Sequence, residues 1–166
     1  MRYPIRQAFV QSRDGVAVLE FALVIPVLLT IFAGLSDFLL AFSDRIQLAS
    51  GVAGGAAYAF NQGQNVSGTA QAVSATDVKA KIVSSIDLPN VSVTVTGPTL
   101  GCISNSSTVP AVATLTAGTA GTACPNGQAP ATYVVITASY TYNPMMPFYS
   151  TLSSTALTEN AVVRLY

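Results

Sequence analysis

Gly15 to Phe42 reads Gly-Val-Ala-Val-Leu-Glu-Phe-Ala-Leu-Val-Ile-Pro-Val-Leu-Leu-Thr-Ile-Phe-Ala-Gly-Leu-Ser-Asp-Phe-Leu-Leu-Ala-Phe, and the fold hangs on how this stretch is read. The sixteen residues between Glu20 and Asp37 carry no charge and are almost all apolar. A helix over Val16 to Phe42 would be roughly 40 Å long at 1.5 Å per residue. That exceeds the ~30 Å hydrocarbon core of a bilayer. The stretch therefore predicts a membrane-spanning helix over about 16–42, tilted or with its ends in the interface. Asp37 would lie roughly 25 Å beyond Glu20, near the outer interface. Pro26 removes one backbone hydrogen bond and favours a kink, which membrane helices tolerate.

Outward from this stretch, the totals agree. Of 166 residues, 51% are hydrophobic and 8% charged, with seven basic and seven acidic side chains. A soluble domain carries about 25% charged residues, so the chain lacks the groups that keep a globule in water. Beyond the apolar helix, roughly one hundred residues remain, enough for one small domain. Dispersed, balanced charge argues against nucleic acid as a partner. The absence of His removes the commonest general base and metal ligand.

Upstream, Arg2, Arg6 and Arg13 face a single acid, Asp14. Positive charge before an apolar run predicts a cytoplasmic N-terminus, with the rest of the chain crossing the membrane. An ordinary secretory signal has an apolar region of about 7–15 residues followed by a small-residue cleavage site. The run here is longer, and the only such site after it is Ala41-Phe42-Ser43. Downstream, small residues from Leu48 to Ala59 continue the helix to about Asn61, and Gly63 to Ser74 reads as a polar linker. Thr76 is the expected N-cap of a short helix with a Val78-Ile82-Val83-Ile86 stripe, stopped by Pro89. Asp77 and Lys81 are spaced as a surface ion pair.

Val91 to Thr96 and Tyr133 to Tyr142 predict strands, the first ended by Gly97-Pro98. Ala161 to Tyr166 is a strand-like run, and Thr151 to Thr158 is ambiguous. Gly101 to Gln128 reads as a long loop holding the only cysteines, Cys102 and Cys124. Outside the cytoplasm these predict a disulfide, worth about 3 kcal/mol in the chain-entropy model. The fold class is α+β: a long N-terminal helix, then a small domain over 63–166 with a short antiparallel sheet. No catalytic, metal or cofactor grouping emerges. An anchored enzyme would need Lys79, Asp87 and Glu159 brought into one pocket.

The order basic leader, Gly15, four apolar residues, Glu20, Phe21, long apolar helix resembles the prepilin signal. That resemblance implies cleavage between Gly15 and Val16 by a membrane prepilin peptidase, leaving residues 1–15 as a removed leader. An ionised carboxylate a turn into the bilayer is costly without a partner, and the resemblance supplies one, the Val16 amine of a neighbouring subunit. The alternative is that Glu20 reaches back to water. Arg13 to Pro26 as a block, the Ala- and Gly-rich Leu48 to Ala59, and Ile136 to Pro144 with Pro147 and a late Arg resemble the TadE-like family, minor pilins (pseudopilins) of tight-adherence pili.

That resemblance implies an inner-membrane subunit with a periplasmic outer domain, placed in the pilus or at its tip and serving surface adhesion. Its partners would be other major and minor pilins, the peptidase, the assembly platform and the lipid bilayer. Glu20 and Phe21 would set register. The rival reading is an uncleaved single-span protein with a periplasmic binding domain.

Overall fold

In the computed structural model, which describes residues 13–64, 73–105, 113–145 and 156–166, one helix dominates: α1, Arg13–Gln64. Residues 1–12 of the expected leader, most of the 63–74 linker and Thr151 to Thr155 lie outside the described residues. At 1.5 Å per residue α1 is roughly 78 Å long, and it remains helical through Pro26. Pro26 costs it the hydrogen bond to the Ala22 carbonyl. Two polar side chains in the apolar half bond to their own backbone, Thr30 Oγ1 to the Val27 carbonyl (2.7 Å) and Ser36 Oγ to the Phe32 carbonyl (2.9 Å). Neither hydroxyl then needs water.

The second half of α1 carries a buried stripe at three- and four-residue spacing, Leu48, Gly51, Val52, Gly55, Ala59 and Gly63, with Asp37 buried further back along the helix. Against it pack helix α2, Ala75–Ser85, and a four-stranded antiparallel sheet. The strands are β1, Ser92–Asn105, β2, Ala113–Ala117, β3, Ala131–Thr141, and β4, Ala156–Arg164, in the order β2-β1-β3-β4. Leu48, Val78, Ile82, Val134, Ile136 and Leu165 are fully buried where the two helices meet the sheet. The α+β architecture is as expected. The far half of α1 belongs to the core of the sheet domain.

Local details differ from the sequence expectations. The N-cap of α2 is Ser74, whose Oγ accepts from the Asp77 N–H (3.3 Å), with Thr76 already inside the helix. The helix ends at Ser85, with Ile86 in extended conformation, before Pro89 acts. Strand β1 does not stop at Gly97-Pro98. Its register against β3 passes from Thr96↔Val135 to Thr99↔Tyr133, so β1 carries one extra residue there. The bulge removes the need for an N–H at Pro98. Gly97, at φ +114°, takes a conformation that side chains disfavour, and a Cβ would sit 2.6 Å from the Tyr133 carbonyl oxygen.

The segment read as one long loop contains the end of β1 and the whole of β2, paired from Gly101↔Ala117 to Asn105↔Ala113. Cys102 on β1 and Cys124 beyond β2 form the expected disulfide, with Cα atoms 5.6 Å apart. It fastens the loop after β2 to the hairpin.

Gly51 and Gly55 set how closely α1 approaches α2. A Cβ on Gly51 would collide with Ile86, and one on Gly55 with Ile82, whereas Gly54 has open space around it. Gly55→Val should therefore lower the stability of the full chain in detergent by about 1–3 kcal/mol. Gly54→Ala should be neutral or raise it by up to about 1 kcal/mol. Urea titrations that show equal losses for both variants would contradict this packing.

Candidate functional site

From Gly15 to Ser36 almost every side chain of α1 faces outward, with little covering it among the described residues. Leu19, Phe21, Leu23 and Leu29 are each more than 60% exposed. This helix is long and apolar enough to cross a membrane. Gly15 and Val16 sit near its start and Pro26 further along, all exposed. Glu20 is exposed and has no bonding partner among the described residues. Its carboxylate therefore lies on an otherwise apolar surface.

The change from apolar helix to folded domain is marked by polar contacts. Asp37 is 6% exposed, the one charged residue buried among those described. The Tyr142 hydroxyl donates to Asp37 Oδ1 at 2.6 Å and lies 3.2 Å from the Asp37 carbonyl oxygen. The Met145 N–H donates to the same Oδ1 at 3.0 Å. Two turns further along α1, the Asp44 carboxylate lies beside the Tyr140 hydroxyl, which favours its charged form. Arg45 Nε then donates to Glu159 Oε1 on β4 at 3.0 Å. Positions 37 and 44 share a helix face. Tyr140 and Tyr142, two apart at the end of β3, are likewise on one side of the chain.

These contacts differ in weight. Burial of a carboxylate is expensive unless hydrogen bonds replace its water, and Asp37 receives two from the Tyr142–Met145 segment. Arg45 is largely exposed, so its pair with Glu159 contributes at most about 1 kcal/mol. Burial pushes the Asp44 carboxyl above the usual carboxylate range, and the Tyr140 hydroxyl offsets this only in part. The Tyr142 hydroxyl is pushed up to about 12, by burial first and then by the Asp37 hydrogen bond and charge.

The sequence placed Asp37 at the outer interface but did not foresee that the domain buries it. The 37/44 spacing on α1 and the 140/142 spacing in the Tyr-Thr-Tyr run were the available signals. Asp77 and Lys81 do not form the ion pair that their spacing suggested; among the described residues the ion pair is Arg45–Glu159. Glu159 is bonded to Arg45, while Lys79 lines an open groove with Thr76, Val93 and Val95. The structure does not bring these two together.

Residues 15–57 match the model of the TadE-like protein family. This segment is TadE-like. The match begins at Gly15 and lies wholly within α1, so the resemblance noted around Ile136 to Pro144 is not part of it. No curated protein and no solved structure significantly matches the chain. The matched helix is long and apolar enough in its N-terminal half to suggest membrane anchoring.

Tyr142 gives the junction a pH signature. Its folded-state pKa lies above the ordinary value of 10. Its contribution to stability is therefore full below pH 10 and is lost as pH rises towards about 12. A spectrophotometric tyrosine titration in detergent should show a late component near 12 that is missing in Tyr142→Phe. A titration unchanged by that substitution would contradict the buried Asp37–Tyr142 bond.

Proposed function

We propose that the chain is a minor pilin (pseudopilin) of a tight-adherence pilus. On this reading it enters the bacterial inner membrane with its N-terminus in the cytoplasm and is cut between Gly15 and Val16 by prepilin peptidase. α1 then joins the helices of other pilins at the assembly platform, with the sheet domain in the periplasm, in the filament or at its tip. Its contribution to surface adhesion would come through pilus initiation, assembly or tip formation.

The observation that carries this reading is Glu20. A carboxylate one turn beyond the proposed cut, on a helix meant for hydrocarbon, costs on the order of 2.5–3.5 kcal/mol at mid-membrane on insertion scales and less near the edge. Within its own chain Glu20 has no bonding partner among the described residues. The new amine at Val16 of a neighbouring subunit would supply a charge-assisted hydrogen bond in a dry setting. Phe21 and the exposed apolar side chains around it would pack on the same neighbour. The pairing would set register between helices that are otherwise uniformly greasy.

Glu20→Ala should leave membrane insertion unchanged, or slightly easier, and abolish incorporation into the pilus fraction or piliation itself. Fractionation followed by detection of this subunit in sheared pili measures both. Normal incorporation of the variant would remove the register role and favour an uncleaved single-span protein with a periplasmic binding domain.

A further inference from the structure

We propose that the Tyr142–Met145 segment is a membrane-contact surface of the outer domain, clamped to Asp37 so that Met145 meets the outer leaflet of the bilayer that α1 crosses. This rests on α1 spanning a bilayer. Val16 to Ser36 is roughly 31 Å of helix, which equals the ~30 Å hydrocarbon thickness. Asp37 then falls at the outer edge of the hydrocarbon, and Phe38 to Phe42 occupy the headgroup layer, a zone some 5–8 Å deep on each side. The exposed Phe38 and Phe42 rings stack there, 6.4 Å apart.

The domain's height is fixed by what it bonds. β3 runs from the membrane-distal end, where Thr132 pairs with Tyr166 and Gln64 Nε2 bonds the Leu165 carbonyl, to the proximal end, where Tyr142 reaches Asp37. The Met145 N–H is held by the same Asp37 oxygen, so its backbone sits at the level of the outer interface. Its side chain is 76% exposed, against 63% for Tyr166, 49% for Val83 and 37% for Leu100 elsewhere on the domain. An unbranched apolar side chain pointing outward from a polar clamp, beside a lipid-facing helix, fits acyl chain and headgroup better than water.

The only two cysteines are bonded to each other, so single-cysteine labelling is clean. Met145→Cys, Tyr166→Cys and Leu28→Cys are each labelled with an environment-sensitive fluorophore. The full chain is reconstituted in phosphatidylcholine vesicles containing phosphatidylcholine spin-labelled near the headgroup end of its acyl chain. The proposal expects quenching several-fold stronger at Met145 than at Tyr166, with the Leu28 label also in a non-aqueous environment. Asp37→Ala should weaken quenching at Met145.

A Met145 label as unquenched as Tyr166, with Leu28 still in the bilayer, would overturn the contact surface and leave the spanning helix intact. A Leu28 label in water would overturn the membrane reading and the contact surface with it. Equal quenching at Met145 and Tyr166 would also defeat the proposal, since the domain would then lie without a defined face towards the lipid. Unchanged quenching at Met145 in Asp37→Ala would remove the clamp from the account.

Discussion

One unbroken helix, Arg13–Gln64, has to satisfy two different surroundings, and the rest of the structure follows from that constraint. Its first half is apolar on nearly every side, Glu20 apart, and largely uncovered among the described residues. Its second half buries one stripe, against which α2 and the sheet pack. The small residues in that stripe, Gly51, Gly55 and Ala59, allow a short helix and a four-stranded sheet to build a core on a single long rod. Leu48, Ile82, Ile136 and Leu165 are fully buried as a result. A small domain of this kind gains most of its stability from such burial, at roughly 25 cal/mol per Å² of apolar surface, with a disulfide securing the hairpin at its edge.

The junction between the two halves is built differently. A buried carboxylate, Asp37, is a poor source of net stability even when well bonded, because desolvation consumes much of the gain. Its value lies in position. Tyr142 and Met145 have no other buried carboxylate to choose among the described residues, so the end of β3 can meet the helix at one height. Asp44 with Tyr140 and Arg45 with Glu159 extend the same polar seam at lower energetic weight. The seam marks where the helix passes from exposed and apolar to packed against the domain.

Much of this was legible in the sequence because long, strongly patterned segments dictate their own structure. Gly15 to Phe42 could only be an apolar helix, and Val91 to Thr96 and Tyr133 to Tyr142 had the β-branched alternation of strands. The sheet's extent was harder to see. Gly97-Pro98 signals a break in the sequence, but one extra residue in β1 lets pairing resume beyond it, an event visible only once β3 is alongside. β2 is Ala-Thr-Leu-Thr-Ala, too small and weakly apolar to announce itself, and its place is set by β1 and the nearby disulfide. Ser74 outcompeted Thr76 as a cap because either hydroxyl satisfies the rule and tertiary packing decides which. Gly15, Val16, Glu20 and Phe21 stand out through the resemblance of their order to the prepilin signal. The Asp37 junction does not stand out, because it pairs positions a hundred residues apart.

The central claim is that the exposed apolar half of α1 is a processed pilin helix, with Glu20 waiting for an amine that only cleavage creates. The most direct test is the N-terminal sequence and intact mass of the protein purified from its own membrane. The account predicts a chain starting at Val16, and a start at Met1 in a strain lacking prepilin peptidase. A start at Met1 with the peptidase present would contradict it, leaving Glu20 without its proposed partner and α1 as a plain membrane anchor.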